Sequence, residues 1–174
     1  MPPLTLCYTT KIFKSLLAIS IALFGLLVGS GNILDYGTNW QFVQHVLSMD
    51  SMEPWLNGQA LQGRAVTSVT VQQTAYTLII LGELVFGFVC FWGGVLMLHG
   101  SFVSRPERYI RGKALFTLGC IPALLVWYTG FAVIGGEYFA MWANQWNGQM
   151  KSYTFISFII LSLMYISQAE SEQN

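Results

Sequence analysis

Four long apolar runs, separated by polar stretches, organise the chain at positions 15–34, 74–98, 115–136 and 152–169. A helix needs about 20 predominantly apolar residues to cross the roughly 30 Å hydrocarbon core of a bilayer. The pattern therefore predicts an all-α membrane protein, a four-transmembrane-helix bundle forming a single domain over residues 1–174. Residues 1–10 read as a polar lead. The first run also has the charge and length of a signal peptide, but no A-x-A site follows it, so an uncleaved span is expected. Pro122 lies inside the third run, where a kink is expected. The intervening segment 35–73 is too long for a structureless connection and is expected to fold. Within it Trp40, Val43, Val46 and Leu47 recur at helical spacing. This predicts a short amphipathic helix over 39–49, capped by Asn39 and lying at the membrane surface. Further on, the stretch 65–72, AVTSVTVQ, alternates as a short strand would.

Composition removes several classes of function. Charged residues make up 9% of the chain, against about 25% in soluble domains, too few to solvate a globular surface. Net charge is zero, so no overall field attracts nucleic acid, and the lipid bilayer is the expected surrounding. Lys11 and Lys14 precede the first run, and Arg105, Arg108, Arg111 and Lys113 lie between the second and third. The segment 35–73 instead carries Asp35, Asp50 and Glu53 against Arg64. Positive charge in short connections marks the cytoplasmic side, which places both termini there and the segments 35–73 and 137–151 outside.

Little in the sequence suggests catalysis. Cys7, Cys90 and Cys120 lack metal-site or redox spacing, and Cys90 and Cys120 read as small apolar fillers. His45 and His99, the two histidines, fall on opposite faces of this topology, which excludes a haem held between them. No nucleophile, phosphate-binding or zinc motif occurs. The expectation is no catalytic residue, no metal, no cofactor and no enzymatic activity.

Glu83 is the exception to an otherwise bland interior. It lies about nine residues into the second run, about 13 Å deep. A charge at such depth costs at least about 2.5–3.5 kcal/mol. Its candidate partners are the hydroxyls of Tyr76, Tyr128 and Thr129, or Arg64 reaching down from the connection. One reading is a structural hydrogen bond locking spans two and three together; the sharper one is a proton or cation site. A second constellation, Trp40, His45, Asp50, Trp55, Arg64, Glu137, Trp142, Trp146 and Asn147, predicts a polar aromatic cap on the outer side. Such a cap either anchors the chain at the headgroups or presents an interaction surface. Glu137 and Glu83 lie at different depths of the same half and would line one vestibule.

The strings 32–50, NILDYGTNWQFVQHVLSMD, and 135–149, GGEYFAMWANQWNGQ, carry a resemblance, as do RAVTSV at 64–69, AYTLIILGE at 75–83 and WYTGFAVIGGE at 127–137. Through them the chain resembles a bacterial family of predicted small integral membrane proteins, domain-of-unknown-function family 2165, over nearly its whole length. The resemblance implies four spans, with no settled activity, and places the chain in the bacterial inner membrane. The function expected is an auxiliary, assembly or interaction subunit of a larger membrane complex, with a membrane-protein partner or self-association. The alternatives are an oligomeric transporter or ion-permeable pore using Glu83 and, more weakly, a redox or quinone-associated subunit.

Overall fold

The computed structural model describes residues 5–170. In chain order its helices are α1 (Leu6–Leu34), α2 (Tyr36–Ser48), the single turn α3 (Gln59–Gln62), α4 (Val69–Phe102), α5 (Pro106–Ala123) and α6 (Gln149–Ser167). Between α5 and α6 the third span continues as a wider π-helix, Leu124–Tyr138. Four helical stretches, α1, α4, α5 with its π-helical extension, and α6, are long and apolar enough to cross a membrane.

The helices outrun the apolar segments that predicted them. Residues 5–10 of the expected polar lead are capped or helical, because the Thr5 hydroxyl accepts from the Tyr8 amide and starts α1 early; residues 1–4 lie outside the described residues. Proline at the first position opens α5, where its missing N–H has no partner to lose. The short amphipathic helix begins at Tyr36 rather than 39, so Asp35 alone separates it from α1. Asn39 is not its cap. It lies within α2 and donates to Asn32 Oδ1 at 2.7 Å. The strand suggested at 65–72 is also corrected, since no strand occurs among the described residues. The Val66 amide bonds to the Leu47 carbonyl at 2.8 Å and α4 starts at Val69, so the alternating residues end a loop and begin a helix.

Glycines decide how the spans pack. On α4, Gly87 and Gly94 face α1, while Gly93 and Gly100 face α5, which presents Gly112 and Gly119 in return. A Cβ at Gly93 would lie 2.7 Å from the Phe116 amide nitrogen, and one at Gly94 3.0 Å from that of Ile19. Lipid tails are as apolar as leucine, so close backbone approach and dispersion hold helices together in a bilayer. The opposite face of α4 shows Leu78, Leu81, Val85, Phe88 and Trp92, all exposed at helical spacing, as a lipid-facing stripe requires.

Pro122 changes this arrangement. It lacks the N–H that would bond back one turn, and the helix widens just beyond it. Past Pro122 the span parts from α4 and leaves an apolar crevice bordered by Leu78, Gly82, Leu125 and Gly130. α6 packs mainly on the π-helix and more lightly on α1 and α5.

The two connections at this end fold together as a cap. Met52 and Asn144 form an antiparallel bridge, flanked by hydrogen bonds from the Glu53 amide to the Ala143 carbonyl (2.8 Å) and from the Gln145 amide to the Ser51 carbonyl (2.9 Å). Val46, Met49, Phe139, Ala140 and Met141 fill its small core. At the other end of the bundle the chain beyond α6 folds back. Glu170 Oε1 accepts from Lys14 Nζ (2.9 Å), Tyr109 Oη (2.9 Å) and Lys113 Nζ (3.2 Å).

Candidate functional site at the junction of bundle and cap

α1 and α4 bring the first polar pair together. Asn32 stands two residues before the end of α1, and its Nδ2 donates to Glu83 Oε2 at 2.7 Å. Glu83 is 2% exposed, so an unmet carboxylate there would be costly. Asn32 is itself held from two sides: its Oδ1 accepts from Asn39 on α2, and its backbone carbonyl accepts from Tyr76 Oη at 3.2 Å. Glu83 therefore lies level with the last turn of α1, directly beneath the cap.

This geometry revises the partners expected for Glu83. Tyr76 belongs to the network but reaches Glu83 only through Asn32. Tyr128 is exposed on the π-helix, Thr129 is half-buried, and neither bonds to Glu83. Arg64 instead donates to the Tyr138 carbonyl at 3.1 Å and lies over that tyrosine's ring. The carboxylate ties α1 to α4 rather than span two to span three, because the span beyond Pro122 has moved away. Replacing Asn32 with alanine removes the donor and is expected to destabilise the protein by about 1–3 kcal/mol. Thermal unfolding in detergent measures this; a loss no greater than that of Ser30→Ala, at a half-exposed position two residues away, would contradict it.

Above the carboxylate lies a cavity of about 220 Å³ between α1, α2, α4, the π-helix and α6. Tyr76, Trp127, Phe131 and Phe155 contribute aromatic walls, and Ser152 lies on the α6 side. Asn39 and Lys151 are exposed whereas Glu83, Tyr76, Trp127 and Ser152 are buried, so the cavity runs from an accessible rim to a sealed floor. Glu83 Oε2 is engaged by Asn32. Oε1 accepts from no described residue, yet it is not sealed inside the protein, so it borders the cavity. Towards the other end the bundle is filled by Phe24, Phe86, Trp127 and Phe155, whose rings pack at 4.9–6.4 Å.

The cap residues divide into those that build the cap and those that remain on its surface. Trp40 stacks on Tyr36, and Trp146 stacks on His45 with ring centroids 5.0 Å apart. His45 Nδ1 lies 2.7 Å from Asp50 Oδ1. Partial burial pushes the Asp50 carboxyl up, but hydrogen bonds from His45, Ser51 and Ser48 prevail and hold it below its ordinary value. Asn147 Oδ1 accepts from the Gln149 amide at the start of α6. Glu137 is exposed and accepts from Gln149 Nε2 at 2.9 Å; it does not line the cavity over Glu83. Trp55 and Trp142 stack on each other at 6.1 Å and stay 65% and 44% exposed, which sets them apart from the tryptophans spent within the cap.

The sequence pattern missed Asn32, Asn39 and Lys151 as parts of one site. Asn32 follows a run of small residues and marks a span boundary equally well, and Lys151 belongs to the polar start of a helix. The signal available was the spacing of Asn32 and Asn39, seven residues apart across the α1–α2 junction.

A family described as "Predicted small integral membrane protein (DUF2165)" matches residues 10–169. No curated protein and no solved structure matches the chain.

Proposed function

The chain belongs to that family of small integral membrane proteins, and from this premise we propose that it is a non-catalytic, ligand-binding accessory subunit of a larger membrane assembly. The observation that carries the reading is Oε1 of Glu83, which accepts from no described residue and borders a cavity with an aromatic wall and an open rim. Polar groups converging in a largely apolar pocket are the usual form of a small-molecule site. The exposed Trp55–Trp142 pair supports the accessory role, because aromatic side chains are enriched where partners dock. The end bearing Lys11, Lys14, Arg105, Arg108, Arg111 and Lys113 is assigned to the cytoplasm and the cap to the outer face of a bacterial inner membrane.

Native mass spectrometry of the protein, extracted at native expression level in mild detergent, tests both halves. The wild type is expected to carry a bound small molecule and a partner chain. Ser152→Trp, which fills the cavity, should release the molecule, and Trp55→Ala with Trp142→Ala should release the partner. A monodisperse monomer with nothing bound would overturn the reading.

A second reading takes the same free oxygen as the coupling or selectivity group of an oligomeric transporter or pore. Flux in proteoliposomes that Glu83→Gln leaves unchanged would remove it. The aromatic filling below Glu83 favours binding over passage through a single bundle.

A further inference from the structure

The cavity over Glu83 adjoins a second one, and the two share Phe42, Val43, Ile79 and Phe131. The second encloses about 290 Å³ between α2, α4 and the π-helix and is almost wholly apolar. It reaches Leu78 and Ile134, both exposed on the side that meets lipid. The two cavities thus lie side by side, divided by the four shared side chains, and the second opens where the span leaves α4 beyond Pro122.

The cavity over Glu83 has an ionisable side chain at each end. Glu83 forms the floor and Lys151 stands at the rim. Lys151 makes no ion pair among the described residues. Around the floor Tyr76, Trp127 and Phe155 offer ring surfaces, which attract cations electrostatically.

We propose that the paired cavities bind a zwitterionic amphiphile. Its ammonium group lies between Glu83 Oε1 and the aromatic rings, its anionic group at Lys151, and its hydrocarbon chain in the crevice that opens to lipid. This inference rests on the ligand-binding reading above and names the ligand's class. An anionic amphiphile would bring like charge to a buried carboxylate. A purely cationic one would leave its headgroup facing Lys151, and an uncharged one would leave both Glu83 and Lys151 without a countercharge, which is unfavourable.

Equilibrium binding of labelled lysophosphatidylcholine to the full chain in a maltoside detergent tests the inference. Excess maltoside serves as the uncharged amphiphile. One saturable site per chain is expected. Dodecyltrimethylammonium and lysophosphatidic acid should compete at least about tenfold more weakly, as the loss of one charge-assisted contact implies. Glu83→Gln keeps an acceptor for Asn32 and should weaken lysophosphatidylcholine about tenfold; Lys151→Gln should erase its advantage over dodecyltrimethylammonium. Glycine betaine separates a free solute from an amphiphile: competition equal to that of the lysolipid would overturn the role of the crevice. Equal binding of all headgroups, or binding indifferent to both variants, would overturn the ligand class. If no probe binds while native mass spectrometry still records a small molecule released by Ser152→Trp, the class fails and the cavity reading stands. If neither experiment finds a ligand, both fail.

Discussion

Glu170→Ala is expected to destabilise the bundle by about 3 kcal/mol, at the lower end of the range for breaking a buried ion pair from one side. The reason lies with Lys14, which is 2% exposed and has Glu170 as its acidic partner among the described residues. Its ammonium also donates to the Gln168 carbonyl at 2.7 Å and faces the ring of Tyr165. These contacts soften the loss but supply no countercharge. Replacing both partners, Lys14→Met with Glu170→Gln, should recover most of the stability, because an apolar side chain of similar length suits that position better than a stranded charge. Thermal unfolding of the three variants in one detergent decides the matter; a double variant no better than Glu170→Ala would show that the pair does not act as a unit.

The same contact makes stability depend on acid. Partial burial pushes the Glu170 carboxyl up, but the hydrogen bonds from Lys14, Tyr109 and Lys113 outweigh it and hold the group below its ordinary value of 4.5. A carboxylate with a depressed pKa in the folded state stabilises the protein above its unfolded value. That contribution is present above about pH 4.5 and fades as pH falls through the lowered folded value. The wild type should therefore lose its margin over Glu170→Ala on acidification below about pH 4.5.

Gly93→Ala should cost a further distinct amount, about 2–3 kcal/mol by overpacking. The added methyl would meet the Phe116 amide nitrogen at 2.7 Å and the Gly112 carbonyl oxygen at 2.8 Å. Both are backbone atoms of α5, so relief requires α4 and α5 to separate rather than a side chain to turn. Gly31 on α1 and Gly37 on α2 provide the control, since a Cβ at either meets nothing within 4 Å. Alanine there should stabilise by roughly 0.5–1 kcal/mol through helix propensity. Equal shifts in melting temperature for Gly93→Ala and Gly31→Ala would contradict the packing account.

Periodicity in the sequence made the four spans and the surface helix legible, because twenty apolar residues in a row have few other uses. The ends were harder to place. Lys11 and Lys14 read as basic residues ahead of the first span that mark the cytoplasmic side, yet Lys14 is buried because a carboxylate 156 positions away folds back to meet it. No local pattern carries that pairing. The site was legible in Glu83 and Tyr76, and not in the rest of its surroundings. Its donor Asn32 comes from another helix, and the widening after Pro122 that removes Tyr128 and Thr129 from reach is a consequence of backbone geometry rather than composition. The cap aromatics were identifiable as a group, but only packing divides those stacked inside, such as Trp146 on His45, from the exposed pair Trp55 and Trp142.

The spans differ greatly in length. α6 has 19 residues, so it measures about 28 Å, close to the thickness of the hydrocarbon layer. α4 has 34 residues and measures about 51 Å, leaving about 20 Å beyond that layer. Lys113 follows Gly112, which packs on Gly93, so the α4–α5 hairpin projects at the basic end, and the turns before Glu83 rise into the cap at the other. α6 matches that layer in length, and Glu83 shares its cavity with Ser152, the fourth residue of α6, so the carboxylate lies about one turn inside the outer end of that span. A bilayer about 5 Å thicker, within the range between cell membranes, would set it up to about one further turn from the headgroups.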